Sequence, residues 1–254
     1  AGNDNAAGTS MGTAWQSITK LNSVNLAPGT VVRFEGAKVF SGNIKLDASD
    51  ANNSTNPIVI SSYGTGRAII QSGSGMGFYS YNTKGFEISD LIFEGSGMST
   101  SITDGVKIHT DLPGNIKLAN IKITNVEIKN YGLVGLYIFS SNYNTGFKDV
   151  VIDRVHIYNI RENGLFVKGH TSPAHVGWSH ENITIRNSEV HNVTGYADPN
   201  SHRGSGIVMA QVDKGVIEKC VAHHTGGSNT HCGGPGGIWA YDCNSVTIQR
   251  CESY

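Results

Sequence analysis

Charge is scarce in this chain. Only 15% of its 254 residues are Asp, Glu, Lys or Arg, and the formal net charge is −1. That balance leaves no electrostatic footprint for nucleic acid or for an anionic membrane surface. Long hydrophobic runs are missing too: nothing approaches the ~18 consecutive apolar residues of a membrane-spanning helix. No signal peptide is visible, and the chain reads as starting inside a mature domain. After residue 25, apolar residues nowhere recur at three-and-four spacing for long enough to make a helix. The four cysteines all fall between residues 220 and 251, without the C-x2-C spacing of a zinc site.

What the chain has instead is glycine, 32 residues of it, and a repeat. Gly206-Ile207-Val208-Met209-Ala210 returns as Gly237-Ile238-Trp239-Ala240-Tyr241, and Ile217 returns as Ile248, both after 31 residues. The same frame runs backwards through Ile185, Ile152, Ile123 and Ile88, and through Gly164, Gly135 and Gly105. Each element is short, rich in Ile and Val, and alternates apolar with polar, which is strand periodicity. A fixed period in this range marks a stacked-repeat architecture. Stacking the frames predicts inward columns Leu91–Val126–Val155–Ser188–Cys220–Cys251 and Phe93–Ile128–Ile157–Val190–Ala222–Ser253. Between them lies a polar position, Asp90, Asn125, Arg154, Asn187, Lys219 and Arg250, suited to a left-handed corner. Asn130, Asn159 and Asn192, then His224, form a second polar column.

These frames and the Asn column resemble the right-handed parallel β-helix proteins of the pectate-lyase-like superfamily, over Val31 to Tyr254. The resemblance implies an all-β fold: a single-stranded right-handed parallel β-helix, a solenoid, with a short N-terminal capping helix. It also implies a bacterial, secreted or cell-surface protein acting on polysaccharide. That superfamily holds polysaccharide lyases, glycoside hydrolases, epimerases and non-catalytic surface proteins, so the resemblance is specific for fold and weak for function.

Read in order, the chain is expected to be one domain, with residues 1–30 as entry segment and cap and residues 31–254 as coils. The cap helix is placed over Thr13–Asn25, with Trp15, Ile18 and Leu21 on one face and Thr13 as N-cap. The last frame is unfinished at Tyr254, so the coils, and further domains, are expected to continue beyond it. Asp47 and Asp50, in a polar loop, are calcium candidates against the alternative of a solvated loop. Cys220 and Cys251 are read as small core residues. Cys232 and Cys243 could pair if their loop folds back, and zinc on His223, His224, His231 and Cys232 is a minor alternative. Three glycosylation sequons carry little information.

Two loops exceed the frame. Gly164 to Gly206 spans 42 residues, with the surplus in 169–181 and 194–204. Insertions in a solenoid project from one side and often build its binding face. These hold His170, His175, Trp178, His180, Asp198, His202 and Arg203. Beside them, two outward rows read Lys107, Tyr137, Phe166, Val208, Trp239 and His109, Phe139, Lys168, Ala210, Tyr241. Flat rings in such a row suit the apolar faces of sugars; the alternative is a secondary core under the inserted loops.

For cleavage, a lyase needs a base and a cation against a uronate carboxylate. Lys168, His170, His202 and Arg203 have that chemistry. A glycoside hydrolase needs two carboxylates. Asp198, Asp213 and Asp242 are the acids nearest the face, and no tight Asp–Asp pair is visible. The catalytic candidates are Lys168, His170, Asp198, His202 and Arg203; the substrate-binding candidates are Lys107, His109, Tyr137, Phe166, Trp239 and Tyr241. His156, His191 and His223 read as outward-facing strand residues. The expectation is a polysaccharide-binding, and cleaving, lyase or hydrolase. The alternative from another class is a non-catalytic β-helix module: carbohydrate-binding, adhesin-like or structural.

Overall fold

A computed structural model describes residues 2–50, 55–171, 176–231 and 234–254. The chain winds into a parallel solenoid with three faces. Among the described residues, the first and second sheets hold 8 strands each and the third holds 7. Every strand pairs in parallel with its counterpart one coil away. Val31–Glu35, Val39–Ser41 and Ile44–Leu46 lie on successive sheets, and each later coil repeats that path. The fold is thus the all-β, right-handed β-helix that the resemblance implied.

The frame positions fall in register. Ile88, Ile123, Ile152, Ile185, Ile217 and Ile248 are direct partners along the first sheet. Phe93, Ile128, Ile157, Val190, Ala222 and Ser253 are partners along the second. These columns point inward, and most of the aliphatic core is fully buried. The polar corner position takes left-handed backbone as its residue types suggest, with φ between 50° and 55° from Asp90 to Arg250. Asn130, Asn159 and Asn192 are left-handed too, and their side chains bond along the axis. Asn159 Nδ2 donates to Asn130 Oδ1 at 3.2 Å, and Asn192 Nδ2 donates to Asn159 Oδ1 at 3.4 Å. The frame glycines have a different cause. A Cβ at Gly164 would lie 2.2 Å from Val190 Cγ1 and 2.6 Å from the Gly206 carbonyl, so the coils close tightly only over hydrogen.

The entry segment differs from its expectation in extent. The α-helix is a single turn, Ile18–Leu21, preceded by a 3-10 turn at Met11–Thr13. Ser17, not Thr13, caps it, accepting from Lys20 N at 3.1 Å. Asp4 in turn receives the Ser17 hydroxyl at 2.6 Å and the Gln16 and Ser17 amides, which interrupts any helix from residue 13. The cap still works: Ile18 and Leu21 are buried in the core, and Trp15 packs on it. The calcium candidate Asp50 bonds the backbone of its own loop and of the entry segment. Its carboxylate accepts Leu26 N at 2.9 Å and Asp47 N at 2.8 Å, while Asp47 accepts the Ser49 amide and hydroxyl. Residues 51–54 of that loop lie outside the described residues. Cys220, Cys243 and Cys251 are free thiols. Cys232, the suggested partner of Cys243, lies outside the described residues.

His180, expected in an inserted loop, is instead a core residue opening the strand His180–Arg186. Its ring stacks on Phe147 at 5.8 Å, and Nδ1 accepts the Phe147 amide at 3.2 Å. Burial drives its pKa down to about 4.

Two predictions follow the packing. Asn159→Ala should destabilise the chain by about 2 kcal/mol, from an alanine held left-handed and two lost side-chain bonds. Asn159→Gly should recover roughly the backbone half of that loss; equal urea midpoints for the two variants would refute the division. For His180, the folded pKa lies below that of the unfolded chain, so only the unfolded chain takes up the proton between about 6.5 and 4. The stability contribution is therefore whole above pH 6.5 and is lost as pH falls towards 4, by up to about 3 kcal/mol. His180→Gln, which keeps an acceptor for Phe147, should flatten that part of the stability–pH curve, and an unchanged slope would contradict the assignment.

Candidate functional site

The outer face of the third sheet carries an aromatic ladder. Register pairs Lys107 with Tyr137, Tyr137 with Phe166, Phe166 with Val208 and Val208 with Trp239. The next row pairs His109 with Phe139 and Phe139 with Lys168, then Ala210 with Tyr241. The first outward row read from the repeat is thus paired throughout, and the second is paired from His109 to Lys168 and from Ala210 to Tyr241. Rings stack along and across strands: Tyr137 on Phe139 at 5.1 Å, Tyr137 on Phe166 at 5.7 Å, and Trp239 on Tyr241 at 5.1 Å. Val208 and Ala210 are buried between these rings, whereas the rings themselves are half-buried. The ladder extends further than the sequence frames suggested. Tyr79 pairs with Lys107, and Tyr81 with His109. His109 is held at both nitrogens, with Tyr79 Oη at 3.2 Å and Ser141 Oγ at 2.8 Å, and burial lowers its pKa.

At the edge where the third-sheet strands begin, the second inserted loop folds over this ladder. Arg203 holds it down: Nη1 donates to Glu162 Oε1, and Nε donates to Asp198 Oδ2 at 3.5 Å. The Arg203 guanidinium also lies 5.8 Å from the Tyr196 ring, with that of Arg161 at 4.9 Å. Glu162 is the chemically unusual member. Its side chain is only 12% exposed. Burial pushes its pKa up, and the nearby Asp104 adds to the shift, against the pull of Arg203 and Lys168. Asp104 is 4% exposed, and its oxygens take Val134 N at 3.1 Å and Lys107 Nζ at 3.1 Å. Tyr137 sits among these groups, and burial beside Asp104 and Glu162 drives its phenol pKa up. The Lys107 ammonium lies 5.3 Å from the Tyr137 ring, and that of Lys168 lies 5.7 Å from Phe166.

The candidates divide accordingly. Asp198, His202 and Arg203 converge at this edge, where the His202 ring meets His231 at 4.2 Å and Trp239 at 5.9 Å. Lys168 ends the strand Asn163–Lys168, but its charge is felt by Glu162. His170 lies past the other end, against Tyr143 at 4.4 Å, and is not brought into the cluster. His175 lies outside the described residues. Trp178 belongs to a loop clamped by Lys117, whose ammonium donates to the carbonyls of Asn144, Trp178 and Ser179 at 2.5, 2.6 and 2.9 Å. Asp213 bonds Asn244 on the first sheet and Asp242 bonds Gln211, so neither reaches Glu162. Sequence reasoning missed Glu162, at a tight corner, and Asp104, at the end of the connection 96–105, because neither lies in the two insertions that exceed the frame. Their signal was an acid within two residues of a frame glycine, Asp104 directly before Gly105 and Glu162 two residues before Gly164.

A cavity of about 820 Å³ lies elsewhere, under the entry segment between Trp15, Val32, Phe40 and Tyr63. Its described walls bring a single carboxylate, Glu35, so the third sheet, where acids and rings converge, is the better site.

A family model described as right handed beta helix region matches residues 114–254. Among solved structures, the fold is similar to the GH136 lacto-N-biosidase from Eubacterium ramulus. The TM-score is 0.71 at 14% identity, over 99% of this chain and 54% of that one. Pectate lyase Pel9A gives a TM-score of 0.51 at 13% identity, over 98% of this chain and 76% of that one. The chain thus spans about half the length of the lacto-N-biosidase. At such identities these likenesses establish the fold. No curated protein sequence matches.

The role given to Arg203 has a direct check. Arg203→Ala removes the cation tying residues 194–204 to the sheet, a loss of at least about 1.5 kcal/mol locally. Limited proteolysis in that loop should accelerate about tenfold while fragments from the core strands stay protected. Unchanged cleavage would mean that other contacts hold the loop.

Proposed function

Since the chain belongs to the right handed beta helix region family, and its third sheet presents a ladder of stackable rings, we propose a carbohydrate-active protein. In this reading it binds an extended glycan across that sheet and hydrolyses a glycosidic bond beside Glu162. The observation that carries the reading is a carboxyl group whose pKa burial raises, set at the edge of the ring ladder. A general acid at neutral pH needs that property. Sugar rings present flat apolar faces, and half-buried aromatic rings in register offer complementary planes.

Protonated Glu162 gives its proton to the glycosidic oxygen as the bond from that oxygen to the anomeric carbon breaks. Asp104, whose charge Glu162 feels, supplies the second carboxylate. It either takes a proton from the attacking water or bonds to the anomeric carbon first, the two outcomes that carboxylate separation selects between. Arg203 and Asp198 are positioning residues for Glu162. Lys107, His109, Tyr137, Phe166, Trp239 and Tyr241 bind the sugar chain, with His202 against the Trp239 edge. His170 would contact only a longer glycan. A polymeric substrate suits a secreted or cell-surface location, and no described helix is long and apolar enough to cross a membrane. The names of the structural neighbours, a lacto-N-biosidase and a pectate lyase, are compatible with carbohydrate chemistry.

A lyase is the second reading. Arg203 already serves two carboxylates, but no ion pair to Lys168 is found among the described residues, which leaves that ammonium to meet a uronate.

The test is turnover of a panel of neutral and acidic glycans, read by new reducing ends and by ultraviolet absorbance of unsaturated products. Hydrolysis predicts reducing ends without absorbance, a loss of about 10²–10⁴ in kcat for Glu162→Gln, and up to about tenfold higher KM for Trp239→Ala. Absorbance would move the chemistry to Lys168. Glycan binding that Trp239→Ala weakens, with neither product, would make the chain a binding module.

A further inference from the structure

The second sheet carries a different cluster on its outer face, far from any role in the ring ladder. Register sets His156 beside Glu189, Tyr158 beside His191, and His191 beside His223. Side chains from three successive coils therefore meet on one surface. Tyr158, His191, His223 and Tyr254 stack as a flat column, with centroids 4.9–5.1 Å apart and planes within 5°. His156 departs from that column. Its ring tilts 36° from His191, and its Nε2 comes to 2.9 Å from His191 Nε2.

Two imidazole Nε2 atoms at that distance cannot both carry hydrogen, so at least one presents a lone pair to the other. Glu189 closes the group, with Oε2 at 4.0 Å from His156 Nε2. The three ligand atoms all lie within 4.8 Å of one another. In a tetrahedral site with bonds of about 2.0–2.1 Å, ligand atoms sit about 3.3 Å apart. Closing those gaps takes changes of up to about 1.5 Å in separation, within reach of rotations of the half-exposed His156 and Glu189 side chains. The other oxygen of Glu189 is held by His223 Nε2 at 3.1 Å, the outer support that orients a ligating carboxylate. His191 is fixed between two rings, while His156 and Glu189 are about half exposed, which leaves a path for an ion and room for water.

We propose that His156, Glu189 and His191 bind one divalent cation of the zinc class on the second sheet, with His223 holding Glu189. Two imidazoles and a carboxylate suit Zn²⁺, and Cu²⁺ or Ni²⁺ by the same ligand chemistry, better than the oxygen-seeking Ca²⁺ or Mg²⁺. The ion joins the coil holding His156 to the next one, so it acts as a clasp along the solenoid axis. It stands apart from the glycan reading and does not depend on it.

The experiment titrates the full chain with ZnCl₂ against a chromophoric chelator, and records the visible spectrum after Co²⁺ loading. The expected result is one tightly bound equivalent and the absorption of a four-coordinate cobalt site. His156→Ala and His191→Ala should each weaken binding at least tenfold and abolish that absorption, with circular dichroism unchanged. Glu189→Gln, at an exposed position, should weaken binding as well and serves if a histidine variant fails to fold. His202→Ala, at the pair that His202 forms with His231, should leave it unaltered. No bound equivalent, or binding that survives the His156, His191 and Glu189 variants, overturns the proposal.

Discussion

Register between parallel coils is the constraint on which everything else here rests. A solenoid coil has no partner for its own strands except the coils above and below, so each row of backbone bonds also fixes which side chains face the core. A slip of one residue would turn the Ile88–Ile248 column outward and bring polar neighbours in. The left-handed corners make that register hard to lose. They recur at one frame position from Asp90 to Arg250, so the corner geometry is periodic along with the side chains. Asn159 adds a directional lock, since it donates to one coil and accepts from the next. The frame glycines work in the same sense, because only hydrogen fits where Gly164 meets Val190 and the next coil's backbone.

That periodicity is also why so much of the fold was legible in sequence. Ile columns, corner residues and outward rows are properties of spacing, and spacing is what a repeat displays. The entry helix was less legible because Trp15, Ile18 and Leu21 have helical spacing while the caps around them decide the length. Ser17 and Asp4 bond the backbone that a longer helix would need, and one turn remains. His180 misled for a similar reason: position in a long interval suggested a loop, but the strand it opens buries it against Phe147.

The candidate site was half legible. Its rings belong to the repeat and were visible, whereas Glu162 and Asp104 are single residues in connections between strands. Their chemistry comes from burial, which a spacing argument cannot measure. The histidine cluster was visible in spacing and was read as surface. What distinguishes it is the 36° tilt of His156 out of the stack, a property of side-chain angle rather than position.

A solenoid face sets strict terms for any chemistry built on it. Neighbouring coils lie about 4.8 Å apart, so groups from different coils arrive at fixed steps and cannot be drawn together by a local backbone change. Adjustment must come from side chains and from insertions. In this chain the insertion at 194–204 supplies the adjustment: it brings Arg203 and Asp198 over the ladder and shields Glu162, whose carboxyl would otherwise be solvated like most corner acids. The repeat therefore provides a flat, regular surface, and the insertion at 194–204 brings the cation and the carboxylate that meet beside Glu162. In the proposed reading, binding and chemistry on this face thus have separable structural origins, the first in the period and the second in the break from it.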